Sequence, residues 1–235
     1  VIVTDAAGKV GVGTASPANY YADELVVTAA DEGGMTLVTG TGHANYIAFA
    51  DGTSGNAAYR GFVKYDHAND KMTLGTAGSS AIEVNVIGNV TMPLQPAFQA
   101  SKSGATGSIA NATWVTLVFN NERFDNNADY NPSTGVFTAP VTGKYQMNFS
   151  ARIDNIPHTA AHASVQFTSS NVDYSYQSLI TPTSYDSTLN YITFHASALI
   201  DMDAGDTVKC VAFIQNSTGN HVAYSGNIFS GYLVC

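Results

Sequence analysis

The chain has 235 residues, of which 45% are apolar, enough to fill a core, and only 11% are charged. A net charge of −9 excludes the basic surface that would displace counterions from nucleic acid, and no apolar run reaches the length of a membrane span. A surface of Ser, Thr, Asn and Gly, with 21 Gly and 13 Tyr, suits β sandwiches and fibrous stalks better than cytosolic enzymes.

Turn residues punctuate short alternating apolar runs along the whole chain, and no 3.6-residue apolar period lasts three turns, so the expectation is all-β. The chain opens on Val1 rather than Met, which reads as the C-terminal part of something longer or as a processed form. Residues 1–92 open with Val10-Gly11-Val12-Gly13-Thr14 and Ser16-Pro17. The segments 24–29, 34–40, 46–52, 60–70 and 71–78 then read as short strands. Ile87-Gly88-Asn89-Val90 looks like the start of a second copy of the opening motif. These strands are too short and too often broken by glycine to bury a core within a single chain. Three chains wound together could supply one, since glycine lets backbones approach closely. The opening motif, the strand ending in Ala50-Asp51-Gly52 and the Tyr65-Asp66-His67 turn resemble, in that order, the stalks of bacteriophage tail fibres.

Met92-Pro93-Leu94-Gln95-Pro96 reads as a stiff hinge, because proline fixes φ and disfavours helix before it. Beyond it, residues 112–119 alternate, with Trp114, Thr116 and Val118 on one side and Val115, Leu117 and Phe119 on the other. Residues 143–153 set Tyr145, Met147, Phe149 and Ala151 against Lys144, Gln146, Asn148 and Ser150, one face dry and the other wet. The segments 163–170, 173–180, 189–202 and 206–215 continue the series. A double-sheet Greek-key sandwich follows.

Between Phe119 and Phe149 the spacing is more specific. Phe119, Asp125, Tyr130, Phe137, Gly143, Tyr145 and Phe149 stand where the globular heads of complement component 1q place their signature residues. Only Met147 departs, where a Phe is usual. Pro96-Ala97-Phe98, the Gly205-Asp206-Thr207-Val208 turn and the closing strand Ile228–Val234 resemble the same family. The resemblance implies a jelly-roll head over residues 93–235 that forms a homotrimer and carries no catalytic machinery. With the glycine-rich, intertwined β stalk over residues 1–92, it implies a homotrimeric fibre.

The candidate chemistry is sparse. His158 and His162 lie four apart, but Pro157 and small residues place them in a loop entering a strand, where surface or packing roles are expected. Asp186, Asp201, Asp203 and Asp206 lie in acidic turns. Such oxygen-rich turns could hold a structural calcium, the only cofactor expected, although Asp also favours turns for itself. No nucleophile elbow occurs, so no enzyme activity is expected.

Tyr174, Tyr176, Tyr185, Tyr191, His195, His221 and Tyr224 make the second half aromatic. Tyr185, His221 and Tyr224, in distal loops, are the expected ligand-binding residues, and Tyr191 is expected to line the sandwich or the trimer seam. Cys210 and Cys235 are expected as two buried thiols of a reducing cytoplasm rather than a bridge, although their strands could place them at one end. Asn89, Asn111, Asn148 and Asn216 begin N-x-S/T triplets that a chain of this composition produces by chance, and they are assigned no glycan.

The two resemblances together imply an extracellular, virion-surface fibre. The leading expectation is a bacteriophage tail fibre or receptor-binding protein. Its N-terminal side would meet other virion proteins, and its head would bind a host surface glycan or protein, without nucleic acid and without membrane insertion. The alternatives are a capsid decoration or head fibre, or the tip of a bacterial surface filament.

Overall fold

The computed structural model describes residues 2–104, 109–171, 177–215 and 221–235. Within them the chain consists of strands, turns and three short 3-10 segments, Pro17–Asn19, Gly55–Tyr59 and Pro182–Ser184, as its alternation predicts. No helix among the described residues is long and apolar enough to cross a membrane. The backbone divides into two units, Val1–Gly78 with Val84–Asn89, and Ser79–Glu83 with Val90–Cys235.

In the first unit β1 (Ile2–Thr4) pairs antiparallel with β2 (Val10–Val12), which pairs parallel with β3 (Leu25–Val27). β4 (Ala44–Phe49), β5 (Gly61–Asp66) and β6 (Lys71–Thr76) form an antiparallel meander. The Asp5 carboxylate accepts from the amides of Ala7 and Lys9, and Gly8 takes the positive φ that the turn requires. Asn85 repeats that turn through Ile87, Gly88 and Asn89. The internal copy is therefore of the turn before Val10, not of the Val-Gly-Val-Gly sequence itself. The strand expected at 34–40 is absent: those residues pair with no neighbour, and Met35, Leu37 and Val38 are exposed.

Few apolar side chains of this unit find cover. Val26 and Phe62 are buried, with the Phe62 ring lying where a β carbon on Gly75 would stand. Leu25, Val38, Tyr46, Phe49 and Ile87 are all exposed. Tyr46, Ile47, Val63 and Met72 line an open apolar cleft of about 270 Å³.

The connecting strands are β7 (Ser79–Val84) and β8 (Val90–Thr91). The head then adds β9 (Ala97–Ser101), β10 (Val115–Thr116), β11 (Asn121–Asp125), β12 (Tyr130–Asn131), β13 (Val136–Thr138) and β14 (Gly143–Asp154). It continues with β15 (His162–Ser169), β16 (Gln177–Ile180), β17 (Ile192–Met202), β18 (Thr207–Gln215), β19 (Val222–Ala223) and β20 (Ile228–Leu233). One sheet has the order β12-β13-β18-β15-β16, with β10 also on β18. The other has β11-β9-β20-β14-β17, with β19 on β14.

The two sheets meet through aromatics. Phe98 of one stacks on Phe137 of the other at 4.9 Å, and Phe149 meets Phe167 edge-on at 4.9 Å. The alternation holds: Tyr145, Met147, Phe149 and Ala151 are buried, as are Leu117 and Phe119. The signature residues brace one another. Asp125 accepts from the Tyr130 amide at 2.7 Å, the Tyr130 hydroxyl donates to the Phe119 carbonyl at 3.0 Å, and the Tyr145 hydroxyl donates to the Val141 carbonyl at 2.7 Å. Burial raises the Tyr130 phenol far above its ordinary value, so it stays a donor.

Both cysteines are free thiols: Cys210 is buried at mid-strand in β18, and Cys235 is exposed, against the expectation of two buried thiols. Cys210 lies in β18 of one sheet and Cys235 follows β20 of the other, and burial pushes the Cys210 thiol upward.

Candidate binding site at the far end of the head

β14 gives the head a direction. Its first residues pair with the C-terminus, Lys144 donating its amide to the Cys235 carbonyl, and Leu233 donates to Pro96 at the chain's entry. Its last residues, Arg152 to Asp154, lie at the opposite end, about 35 Å away at the ordinary rise of a strand.

At that far end Ile153 pairs with Ile192 of β17 on one side and Ala223 of β19 on the other. The pairing brings Tyr191 and Tyr224, each one residue outside its strand, beside Arg152. The guanidinium carbon lies 3.9 Å from the Tyr224 ring centroid and 4.4 Å from that of Tyr191. Both distances are within cation–π range. Arg152 Nε and Nη2 donate to the two oxygens of Asp154 at 2.7 and 2.8 Å, a two-pronged ion pair that holds the guanidinium firmly protonated. Tyr191 is 72% exposed and Tyr224 42%.

The backbone beneath the cluster is pinned. The buried Asn227 side chain accepts from the Arg152 amide at 2.7 Å and donates to the Arg152 carbonyl at 3.0 Å. His221 Nδ1 donates to the Asn155 carbonyl at 2.8 Å, fixing a residue with φ +63°. The arrangement offers flat aromatic faces beside a neutralised donor–acceptor pair, suited to binding rather than to proton transfer.

Of the expected ligand residues, Tyr224 belongs to this cluster. Tyr185 is exposed in the loop that also carries Tyr191. His221 is 1% exposed, and its ring braces the Asn155 carbonyl, unlike the exposed loop residue expected. Tyr191, expected to line the sandwich or the trimer seam, is 72% exposed in the single chain with its ring beside Arg152. Tyr174 and Tyr176 lie outside the described residues.

Arg152 went unread in the sequence, yet it stands next after Lys144, Gln146, Asn148 and Ser150 on the wet face of β14. That periodicity was the available signal.

The four aspartates do not gather within one chain. Asp186 follows β16 at the far end, whereas Asp201, Asp203 and Asp206 lie at the other end of the eleven-residue β17. Asp201 faces Lys144 at 3.3 Å in an exposed pair. Asp206 accepts from the Asp203 amide at 2.7 Å and from the Ser170 hydroxyl at 3.0 Å, so it builds the turn. Among the described residues no three His, Cys, Asp or Glu side chains are grouped to hold a metal ion. His162 stacks on Phe213 at 5.1 Å, and His158 is exposed.

The family model for the C1q domain matches residues 97–234. The globular domain of zebrafish complement 1qA protein is similar at 20% identity, with a TM-score of 0.44, covering 60% of this chain and 98% of that one. Murine APRIL is similar at 9% identity, with a TM-score of 0.43, covering 60% and 99%. Eiger TNF from S. frugiperda is similar at 12% identity, with a TM-score of 0.43, covering 60% and 92%. No curated protein matches the chain. Domains of this type form homotrimers, are typically extracellular or secreted, and are generally binding or structural modules rather than enzymes. With its two facing sheets, its braced signature residues and a family match over most of the head, the chain belongs to the C1q domain family.

Proposed function

We propose that this protein is a homotrimeric virion fibre of the bacteriophage tail-fibre kind, whose head adheres to a host cell surface. The observation that carries the reading is the uncovered apolar surface of the first unit. Val26 and Phe62 are buried there, while Tyr46, Ile47, Phe49 and Val38 are exposed. Exposed apolar surface on this scale marks an interface. Identical chains wound about an axis would cover it, as in a fibre shaft, and the opening motifs resemble those of tail-fibre stalks. The N-terminal side would then meet other virion proteins, and the far end of the head would meet a host glycan or protein. Several heads acting together turn weak contacts into firm adhesion.

The test uses the purified chain labelled with a fluorophore. Light scattering is expected to give three times the 24.6 kDa chain mass. The labelled trimer is expected to bind some bacterial strains of a diverse panel and not others. A trimer that binds no strain would replace adhesion with a decorating role on the capsid. A monomer would overturn the fibre.

A further inference from the structure

We infer that Tyr191, Arg152, Asp154 and Tyr224 form a subsite for a neutral sugar, which presents two neighbouring ring hydroxyls to the ion pair and its C–H face to a tyrosine. This deepens the adhesion reading and rests on it.

Four features of the cluster carry the assignment. Each tyrosine gives one ring face to the guanidinium and remains substantially exposed, Tyr191 at 72%. A rigid aromatic face with a polar tip is what the C–H side of a sugar ring packs on. Asp154 engages Nε and Nη2 of Arg152, which leaves the Nη1 hydrogens without a partner among the described residues. The carboxylate oxygens keep lone pairs of their own. Donors beside acceptors are the complement of a vicinal diol, in which each hydroxyl both gives and takes a hydrogen bond.

Charge decides against an acidic ligand. The positive charge of Arg152 is already offset by Asp154, and the chain as a whole carries −9. The site is also built in advance. Asn227 clamps the Arg152 backbone from both sides, and the bidentate ion pair fixes the guanidinium plane, so little order remains to be imposed on binding.

The experiment is saturation-transfer NMR on the full chain. The probes are the neutral methyl glycosides of mannose, glucose and galactose, with N-acetylneuraminic and glucuronic acids as acidic probes. At least one neutral glycoside is expected to bind and to lose about tenfold or more in affinity in Tyr191→Ala and in Arg152→Lys. Tyr191→Phe, which keeps the ring, is expected to retain binding, and the trimer mass is expected to be unchanged in all three variants. The assignment is overturned if no neutral glycoside binds, if binding survives Tyr191→Ala, or if only the acidic probes bind, which would make the cluster an anion site. Adhesion to bacteria separates the two readings. Unaltered adhesion by Tyr191→Ala sinks the sugar subsite alone, whereas glycoside binding without adhesion to any strain sinks the adhesion reading alone.

Discussion

Gly231 lies directly beneath Met147. The two residues face each other across the β14–β20 pairing, and a β carbon on Gly231 would stand 2.2 Å from the Met147 sulfur. It would also stand 3.0 Å from the Phe98 ring. Residue 147 is the one signature position where the sequence carries Met instead of Phe. A thioether is flexible and polarizable, and it fills the irregular space over a missing side chain.

Gly231→Ala is therefore expected to destabilise the head by about 1–3 kcal/mol through overpacking, read as a lowered denaturant midpoint. Met147→Ala alone is expected to cost about 2–5 kcal/mol by leaving a cavity. Combined, the new methyl enters the space vacated by the thioether, so the double variant should lose less than the sum. Strict additivity would show that the two side chains do not compete for that space.

Much of the head could be read in advance because its information is local or periodic. The period-2 pattern of β14 identifies Tyr145, Met147 and Phe149 as core, and the structure buries all three. The far-end cluster was harder because its members come from three strands. Arg152 sits on a legible wet face, but that Tyr191 and Tyr224 flank it depends on the register of β17 and β19, which no local pattern specifies. His221 has the look of a loop residue, and its bond to the Asn155 carbonyl comes from a partner 66 residues away that no local pattern reveals. The failure at 34–40 has the opposite cause. The segment alternates like a strand, but no neighbouring strand of the same chain pairs with it.

Asn227 holds the backbone of Arg152 with both ends of its amide while only 5% exposed. Asn227→Ala takes the acceptor from the Arg152 amide in a half-buried setting, while the Arg152 carbonyl keeps the Tyr224 amide as donor at 3.1 Å, at an expected cost of about 1–3 kcal/mol. Asn227→Asp keeps the acceptor and loses the donor, so thermal melting should place it between the wild type and the Ala variant. Equal melting temperatures for all three would mean that water replaces the clamp without penalty.

Asp129 gives the head a pH signature. One of its carboxylate oxygens is buried without a partner, and burial, helped by Asp125, raises its pKa above the ordinary 3.8. The folded state then holds this proton more tightly than the unfolded state. Its contribution is fully present below pH 3.8 and is lost as pH rises through the elevated folded value. Asp129→Asn removes the ionisable group. The variant should gain stability over the wild type at neutral pH, and the gain should shrink as pH falls toward 3. Chemical denaturation at a series of pH values measures it, and a gain independent of pH would assign the effect to packing instead.

The first unit offers the sharpest test of assembly. Ile47 lies on β4 and is 45% exposed in the single chain, so by its own surroundings Ile47→Asp should cost only about 1 kcal/mol, the span of strand propensity. If identical chains cover this face, the same substitution buries an unpaired carboxylate at every copy of the interface and should abolish the trimeric shaft. Hydrogen exchange gives the local readout. In the wild-type trimer the amides of β5 and β6 should be protected, and in Ile47→Asp, or on dilution to monomer, they should exchange freely while those of β14 remain protected. The second unit has its own two-sheet core, centred on Phe98, Phe137 and Phe229, so protection of β14 does not require the first unit. Protected β5 amides in a sample that light scattering shows to be monomeric would mean that the first unit folds alone and that its apolar face waits for a partner other than its own copies.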